Sequence, residues 1–306
     1  MRRSRSGRPK VSSTSTGGTV PGRPDLIARV PALLVLLAVT AVWGVTFVQV
    51  KDAVAIYPLF AFLALRFAIA SGTLAVPGVV RLRTLGRTGF AAGVLAGALL
   101  GAGYALQTAG LERTTVSSTG FITGMYVVLT PLLALAALRT TLGRGAWLGV
   151  VLATLGLALL AGVHRGSLFG DLLVLAGAAV YSLQTVLMER YAPRYDAIAF
   201  TLVEMLTAFG GLLVIALALR DLSFPHGWTV WGALLVTGVF ASALAFLAQT
   251  WAQRRTTATR TALAFSMEPV WAAFFGFTLA GDRLGATAWI GCAAIMAGIV
   301  AAETIR

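Results

Sequence analysis

Cysteine is almost missing from this sequence: Cys292 stands alone inside an apolar run. One thiol builds neither a disulfide framework nor a multi-thiolate metal site within a chain. Histidine is as scarce. His164 and His226 fall in loops without carboxylate or thiol partners at ligand spacing, which excludes a metal centre or a serine-histidine hydrolase built on them. No phosphate-binding glycine motif sits on a loop, so the chain has no ATP drive of its own and implies no cofactor. Charge is also short, with Asp, Glu, Lys and Arg making up 11% of 306 residues. Lysine occurs only at Lys10 and Lys51, a bias toward arginine from which no function follows.

What is present is apolar surface. Hydrophobic side chains make up 58% of the chain, and the mean hydropathy is +0.86. One water-soluble core cannot absorb that much, so lipid must solvate most of it. The few charges gather between apolar stretches of about 20 residues, the length that spans a bilayer core as helix. The predicted spans are Val30–Val50, Tyr57–Pro77, Gly89–Gly110, Val116–Leu138 and Gly145–Val163, then Phe169–Met188, Ala197–Leu219, Val230–Trp251, Thr261–Ala280 and Leu284–Ala302. Runs of this length without alternation exclude a transmembrane β-barrel. Residues 1–29 carry seven cations among Ser, Thr, Gly and Pro and read as a disordered basic tail. Val30–Val50 is too long for a signal-peptide core and runs on into further spans, so it reads as a retained helix. The net charge of +13 is not a nucleic-acid footprint, because the cations lie between membrane spans and not on a solvated stripe.

The cations alternate across the membrane. Loops on the side of the amino terminus hold Arg81, Arg83 and Arg87, then Arg139 and Arg144, then Arg190 and Arg194, then Arg254, Arg255 and Arg260. Each opposite loop holds one: Lys51, Arg113, Arg165, Arg220 and Arg283. Retention of Lys and Arg on the inner side places both termini in the cytoplasm of a bacterial-type inner (plasma) membrane protein. The second half also repeats the first. Gln107-Thr108 matches Gln249-Thr250, Thr114-Thr115 matches Thr256-Thr257, Met125 matches Met267 and Trp147 matches Trp289, all at an offset of 142. Five spans per half is an odd number, so the second copy enters the membrane inverted, a device of secondary transporters whose sites lie at the repeat interface. The expected fold class is therefore all-α integral membrane, ten transmembrane helices as two inverted five-helix repeats.

Trp43-Gly44, Lys51 and Arg66 near the start, and Glu268-Pro269, the Gly281-Asp282-Arg283-Leu284 turn, Gly291 and Gly298 near the end, resemble the EamA-type transporters of the drug/metabolite transporter superfamily. The resemblance implies one five-helix repeat over 30–163 and another over 168–303, a central cavity, and transport of amino acids, other metabolites or drugs, often outward. Two positions depart from the pattern: Asp282 stands where the family usually has Glu, and its first-half equivalent is Thr140. The turn carboxylate then reads as structural.

Arg66, Glu204 and Glu268 are the ionisable residues well inside spans. A charge there costs about 2.5–3.5 kcal/mol on insertion scales, so it is kept facing protein or water. An offset of 138 sets Arg66 opposite Glu204 and Lys51 opposite Glu189. Arg66 is expected to pair with Glu204 by symmetry or Glu268 by depth, and such a pair either serves the substrate or only fixes helix orientation. Lys51 reads as snorkelling, though the resemblance raises its interest. Glu268 precedes Pro269, which removes a backbone donor and invites a kink beside the carboxyl, a candidate proton carrier or merely a shaper of that kink. Its first-half equivalent is Tyr126. Trp43, Tyr104, Gln107, Tyr126, Thr130, Gln184, Gln249 and Ser266 offer polar groups to a path, and Gln107 and Gln249 would face each other across the pseudo-two-fold. Interhelical glue is the alternative for both glutamines. Gly93, Gly97 and Gly101 share one face of span 3 and read as a packing stripe.

The function read from these residues is secondary transport of a small solute, driven by a proton or solute gradient or, in a uniporter, by the substrate's own gradient. An intramembrane enzyme on lipid-linked substrates would need a nucleophile or metal cluster, and a non-transporting receptor or subunit is the third reading. The topology has a direct check. Reporter fusions at residue 1 and residue 306 are both expected to be active only in the cytoplasmic form.

Overall fold

The computed structural model describes residues 26–139, 141–161, 167–279 and 285–305, and among them the chain is helical with no strand. The first block contributes α1 (Leu26–Val54), α2 (Leu59–Val79), α3 (Gly86–Leu111), α4 (Val116–Gly124), α5 (Tyr126–Leu138) and α6 (Arg144–Ala161). The second contributes α7 (Leu168–Tyr191), α8 (Ala197–Ala218), α9 (Gly227–Leu235), α10 (Ala245–Gln253), α11 (Ala258–Phe265), α12 (Glu268–Leu279) and α13 (Ala286–Thr304). Residues 26–29, expected in the tail, already belong to α1, because Leu26, Ile27 and Ala28 extend its apolar run. The rest of that tail, residues 162–166, Thr140 and the Gly281-Asp282-Arg283-Leu284 turn lie outside the described residues.

Eight helical stretches are long and apolar enough to cross a membrane. They correspond to predicted spans 1, 2, 3, 4, 6, 7, 8 and 10, while α6 carries a shorter apolar stretch, Arg144–Leu159. Span 9 is divided between α11 and α12. Span 4 is interrupted too, at Met125, where the amide bonds back to Ile122 in a tight turn before α5 starts. The two interruptions fall at positions matched by the repeat, Met125 in one block and Met267 in the other. Their approach is matched as well: Thr115 caps α4 by accepting from the Ser118 amide, and Thr257 caps α11 by accepting from the Arg260 amide. These hydroxyls satisfy donors that a helix start otherwise leaves unpaired. Span 8 is continuous, but Val236–Leu244 between α9 and α10 is wound as π-helix.

Polarity is reversed relative to a water-soluble domain. Val76, Trp228, Val214 and Leu34 face outward, while Arg66, Gln107, Gln184, Glu204, Gln249 and Glu268 are buried. Interior hydroxyls that lack distant partners fold back on their own helix, as Thr237 does on the Ala233 carbonyl and Ser182 on that of Ala178. The helices pair across the two blocks. α6 packs on α13, α5 on α11, α3 on α7 and α8, and α2 on α8 and the π-wound stretch, with α1 on α10 and α12 and α5 on α7. Exchanging each helix for its repeat partner maps these contacts onto one another, with α5 on α11 answered by α12 on α4.

The glycine stripe of α3 is a packing surface, as expected. Gly97 lies against the Glu204 carbonyl and Thr207, and Gly101 against the Ala208 backbone of α8. A β-carbon at Gly97 would enter that carbonyl, whereas Gly72 of α2 has nothing within 4 Å. Gly97→Leu is therefore expected to cost about 1–3 kcal/mol of stability through overpacking. Gly72→Ala, which gains helix propensity in open space, should be neutral or slightly stabilising. Thermal unfolding of the purified protein in detergent distinguishes the two.

Candidate functional site

Helices α1, α2, α3, α7, α10 and both interrupted spans line a partly open cavity at the contact between the two blocks, with about 720 Å³ of space counting its open mouth. Its wall combines aromatic rings with a few polar groups. Trp43 sits edge-on to Phe265 at 4.8 Å, and Tyr104 stands against Tyr181 at 5.5 Å and Phe67 at 5.2 Å. Among the expected site residues, Trp43, Arg66, Gln107, Tyr126, Gln249 and Glu268 line the cavity. Glu204 and Lys51 do not.

Arg66 brings the cation. Its Nε donates to Ser242 Oγ at 2.8 Å, and its Nη2 donates to the Tyr104 hydroxyl at 3.0 Å and the Ala241 carbonyl at 3.4 Å. The guanidinium also lies over the Tyr104 ring, 4.4 Å from its centroid, a favourable cation–π placement. The expected ion pair with Glu204 or Glu268 is not formed. Among the described residues the ion pairs are Arg81–Asp196, Arg113–Glu112 and Arg260–Glu303, none of them in the cavity. The reason is geometric: α2 turns Arg66 toward the π-wound stretch of span 8, whereas α8 turns Glu204 toward α7. The same stretch holds Trp43, whose indole donates to the Ala241 carbonyl at 2.9 Å. One turn of non-α geometry thus receives a cation and an indole, in keeping with the tendency of π-bulges to mark functional positions.

Glu204 is fully buried behind the cavity wall and belongs to an amide network. Gln184 donates to its Oε1 at 2.7 Å, Gln249 donates to Gln184 at 3.1 Å and to Gln253 at 2.9 Å, and Gln253 donates to the Thr185 carbonyl at 2.9 Å. Glu204 Oε2 and Gln249 Oε1 have no protein partner. Gln107 instead donates to Thr123 at 2.9 Å and accepts from Tyr181 at 3.1 Å. The two glutamines both reach the cavity but bond to different neighbours and not to each other.

Tyr126 and Glu268 are the matched residues that do meet: the Tyr126 hydroxyl donates to Glu268 Oε2 at 3.4 Å. Both begin the second segment of an interrupted span. The kink expected at Pro269 is replaced by a full break. Because α12 starts at Glu268, Pro269 occupies the first turn, where its missing N–H costs nothing. Thr130 and Ser266 are buried yet stand outside the cavity, Thr130 Oγ1 without a partner and Ser266 bonded to the Leu263 carbonyl.

Lys51 is tied to protein and does not snorkel: its Nζ donates to the Thr114 carbonyl at 2.9 Å, just ahead of α4. Its repeat partner Glu189 accepts from the Ala258 amide at 2.7 Å, at the start of α11. Opposite charges therefore perform equivalent tasks, one holding a carbonyl and the other an amide. Tyr181, Ser242, Thr123 and Gln253 were not singled out from the sequence. Tyr181 had a signal, since it lies 138 residues after Trp43, the offset that relates Arg66 to Glu204. The rest look like ordinary interhelical hydroxyls and amides.

An apolar exterior around a buried, aromatic-lined polar cavity defines a multi-pass membrane protein with an internal solute-sized site. The chain belongs to the EamA-like transporter family, whose model matches residues 30–162 and 168–303. It is 29% identical over 281 residues to an uncharacterized transporter of Archaeoglobus fulgidus, covering 91% of this chain and 88% of that one. It is 22% identical over 281 residues to the uncharacterized transporter YoaV of Bacillus subtilis, covering 88% and 96%. A solved crystal structure superposes with a TM-score of 0.74 at 18% identity, covering 90% of this chain and 96% of that one, and so shares the fold.

The network around Glu204 separates size from hydrogen bonding. Glu204→Gln keeps an acceptor for Gln184 and is expected to fold with near-native stability. Glu204→Leu strands the buried Gln184 amide and should cost about 1–3 kcal/mol, read as a lower unfolding temperature in detergent.

Proposed function

We propose that this chain is a secondary transporter that carries a small metabolite, amino acid or drug by alternating access, with export the favoured direction. Ten spans would form two inverted five-helix halves over 30–163 and 168–303, with α6 and the α11–α12 pair joining the eight long helices. Both termini would face the cytoplasm of a bacterial-type inner membrane, with the basic segment 1–25 ahead of α1. The observation that carries the reading is the cavity itself, placed where the two blocks meet and holding the Arg66 cation with no carboxylate in ion-pair reach among the described residues.

In this reading Arg66, Gln107, Gln249 and Trp43 contact the solute, while the Tyr126–Glu268 pair couples it to a proton. Glu268 is suited to that task because it lies in the cavity wall at a helix break, where one hydroxyl at 3.4 Å is its contact. Lys51 and Glu189 would hold the half-helices α4 and α11 in register. Rocking of one half against the other would need the small-residue contact between α3 and α8.

Counterflow in proteoliposomes, screened over amino acids and toxic metabolites, tests the reading. A solute that accumulates with the native protein is expected to lose at least about tenfold of its uptake rate in Arg66→Ala, the scale of a lost charge-assisted hydrogen bond. Glu268→Gln is expected to keep exchange but lose its response to a proton gradient. Full turnover in both variants would overturn these assignments, and absence of any counterflow would favour a receptor or subunit.

A further inference from the structure

A second recess, outside the central cavity, lies between α1, α8 and α10, with about 890 Å³ of open volume and Leu244 of its wall exposed. Its wall is apolar: Val35 from α1, Ile198 from α8, and Leu244 and Leu247 around the start of α10. Its rim is cationic. Arg81, Arg254 and Trp251 stand at the end where α2 has finished, α8 begins and α10 stops. The remaining charged group of the rim, Asp196, is engaged. Its Oδ1 caps α8 by accepting from the Ala199 amide at 3.0 Å, and its Oδ2 lies 3.5 Å from Arg81. Arg254 is exposed, and its side chain makes no hydrogen bond or ion pair among the described residues. The next cation, Arg255, folds onto the Trp251 ring at 4.1 Å and bonds the Trp251 carbonyl at 2.9 Å, so it stacks on the rim tryptophan.

We propose that this groove is a binding site for an anionic phospholipid, with the phosphate held between Arg81 and Arg254 and the acyl chains laid along the α1–α8–α10 wall. A lateral groove in lipid-facing surface must be filled by something apolar. The two arginines, opposed by one carboxylate already committed to a helix cap, select a negative headgroup over a zwitterionic one. Tryptophan at that depth matches the headgroup level of a bilayer, and basic pockets between transmembrane helices are a recognised way to hold acidic lipid. The site is separate from the cavity: α10 is the partition, with Leu247 on the groove side and Gln249 on the cavity side. Bound lipid would brace the helix that carries the glutamine network.

The test is lipid retention by the full-length protein in native mass spectrometry, titrated with phosphatidylglycerol and, separately, phosphatidylcholine of the same chain length. Phosphatidylglycerol is expected to be retained preferentially. Arg81→Gln and Arg254→Gln should each weaken its retention about fivefold and leave phosphatidylcholine unchanged. Both arginines are exposed, so folding should survive, which the unfolding temperature checks. Arg144→Gln, a cation outside the groove, is the control. Equal retention of the two lipids, an equal loss in the Arg144 variant, or displacement of phosphatidylglycerol by millimolar inorganic phosphate would each overturn the proposal.

Discussion

Everything in this structure depends on the cost of leaving a polar group unpaired where no water is available. Burial of an unsatisfied donor or acceptor costs about 1–3 kcal/mol, so a bundle with an apolar skin can hold a polar centre only if that centre hydrogen-bonds to itself. The interior obeys this rule closely. Arg66 distributes its donors among a serine, a tyrosine and a carbonyl, and four glutamine and glutamate side chains pass hydrogen bonds from α8 through α7 to α10. A few atoms escape it, among them Thr130 Oγ1 and, together in the amide network, Glu204 Oε2 and Gln249 Oε1.

The same rule explains the departures from regular helix. A carbonyl buried inside an α-helix is occupied by its own helix and has little left to offer a neighbour. Irregular winding changes where carbonyls point, and the Ala241 carbonyl in the π-wound stretch receives both Trp43 and Arg66. Full breaks at Met125 and Met267 place helix starts in the middle of the bundle, so Tyr126 and Glu268 stand at helix termini facing one another. Non-helical backbone at such depth is tolerated only where protein or a cavity surrounds it.

Hydropathy made the spans legible, because lipid-facing residues such as Val76 and Val214 leave a signal that needs no knowledge of neighbours. The break at Met125 left no such signal, whereas the one at Met267 left Pro269 beside it, which reads as a kink and not as a full break. The repeat supplied part of what hydropathy missed. It singled out Tyr126 and Glu268 as equivalents, and these meet. It also set Arg66 opposite Glu204, and these do not bond, because matched residues touch only when both point at the line relating the two blocks. Direction of a side chain is a tertiary property, fixed here by glycine contacts such as Gly97 on α8 and Gly238 on α2. Lys51 was misjudged for a related reason: its nearest acceptor, the Thr114 carbonyl, is 63 residues away in sequence.

The exchange of Lys51 and Arg66 in one block for Glu189 and Glu204 in the other reaches beyond local bonding. Lys51 and Glu189 act within their own blocks, on the Thr114 carbonyl and the Ala258 amide, whereas Arg66 reaches across to Ser242 and Ala241 of the second block. A dimer of two first blocks would therefore bury two such cations, and a dimer of two second blocks two copies of Glu204. Neither homodimer could reproduce the mixed interior of the fused chain. Joined in one chain, the two blocks meet in a fixed one-to-one ratio, so each cation of the first stands in the same interior as its acidic counterpart of the second.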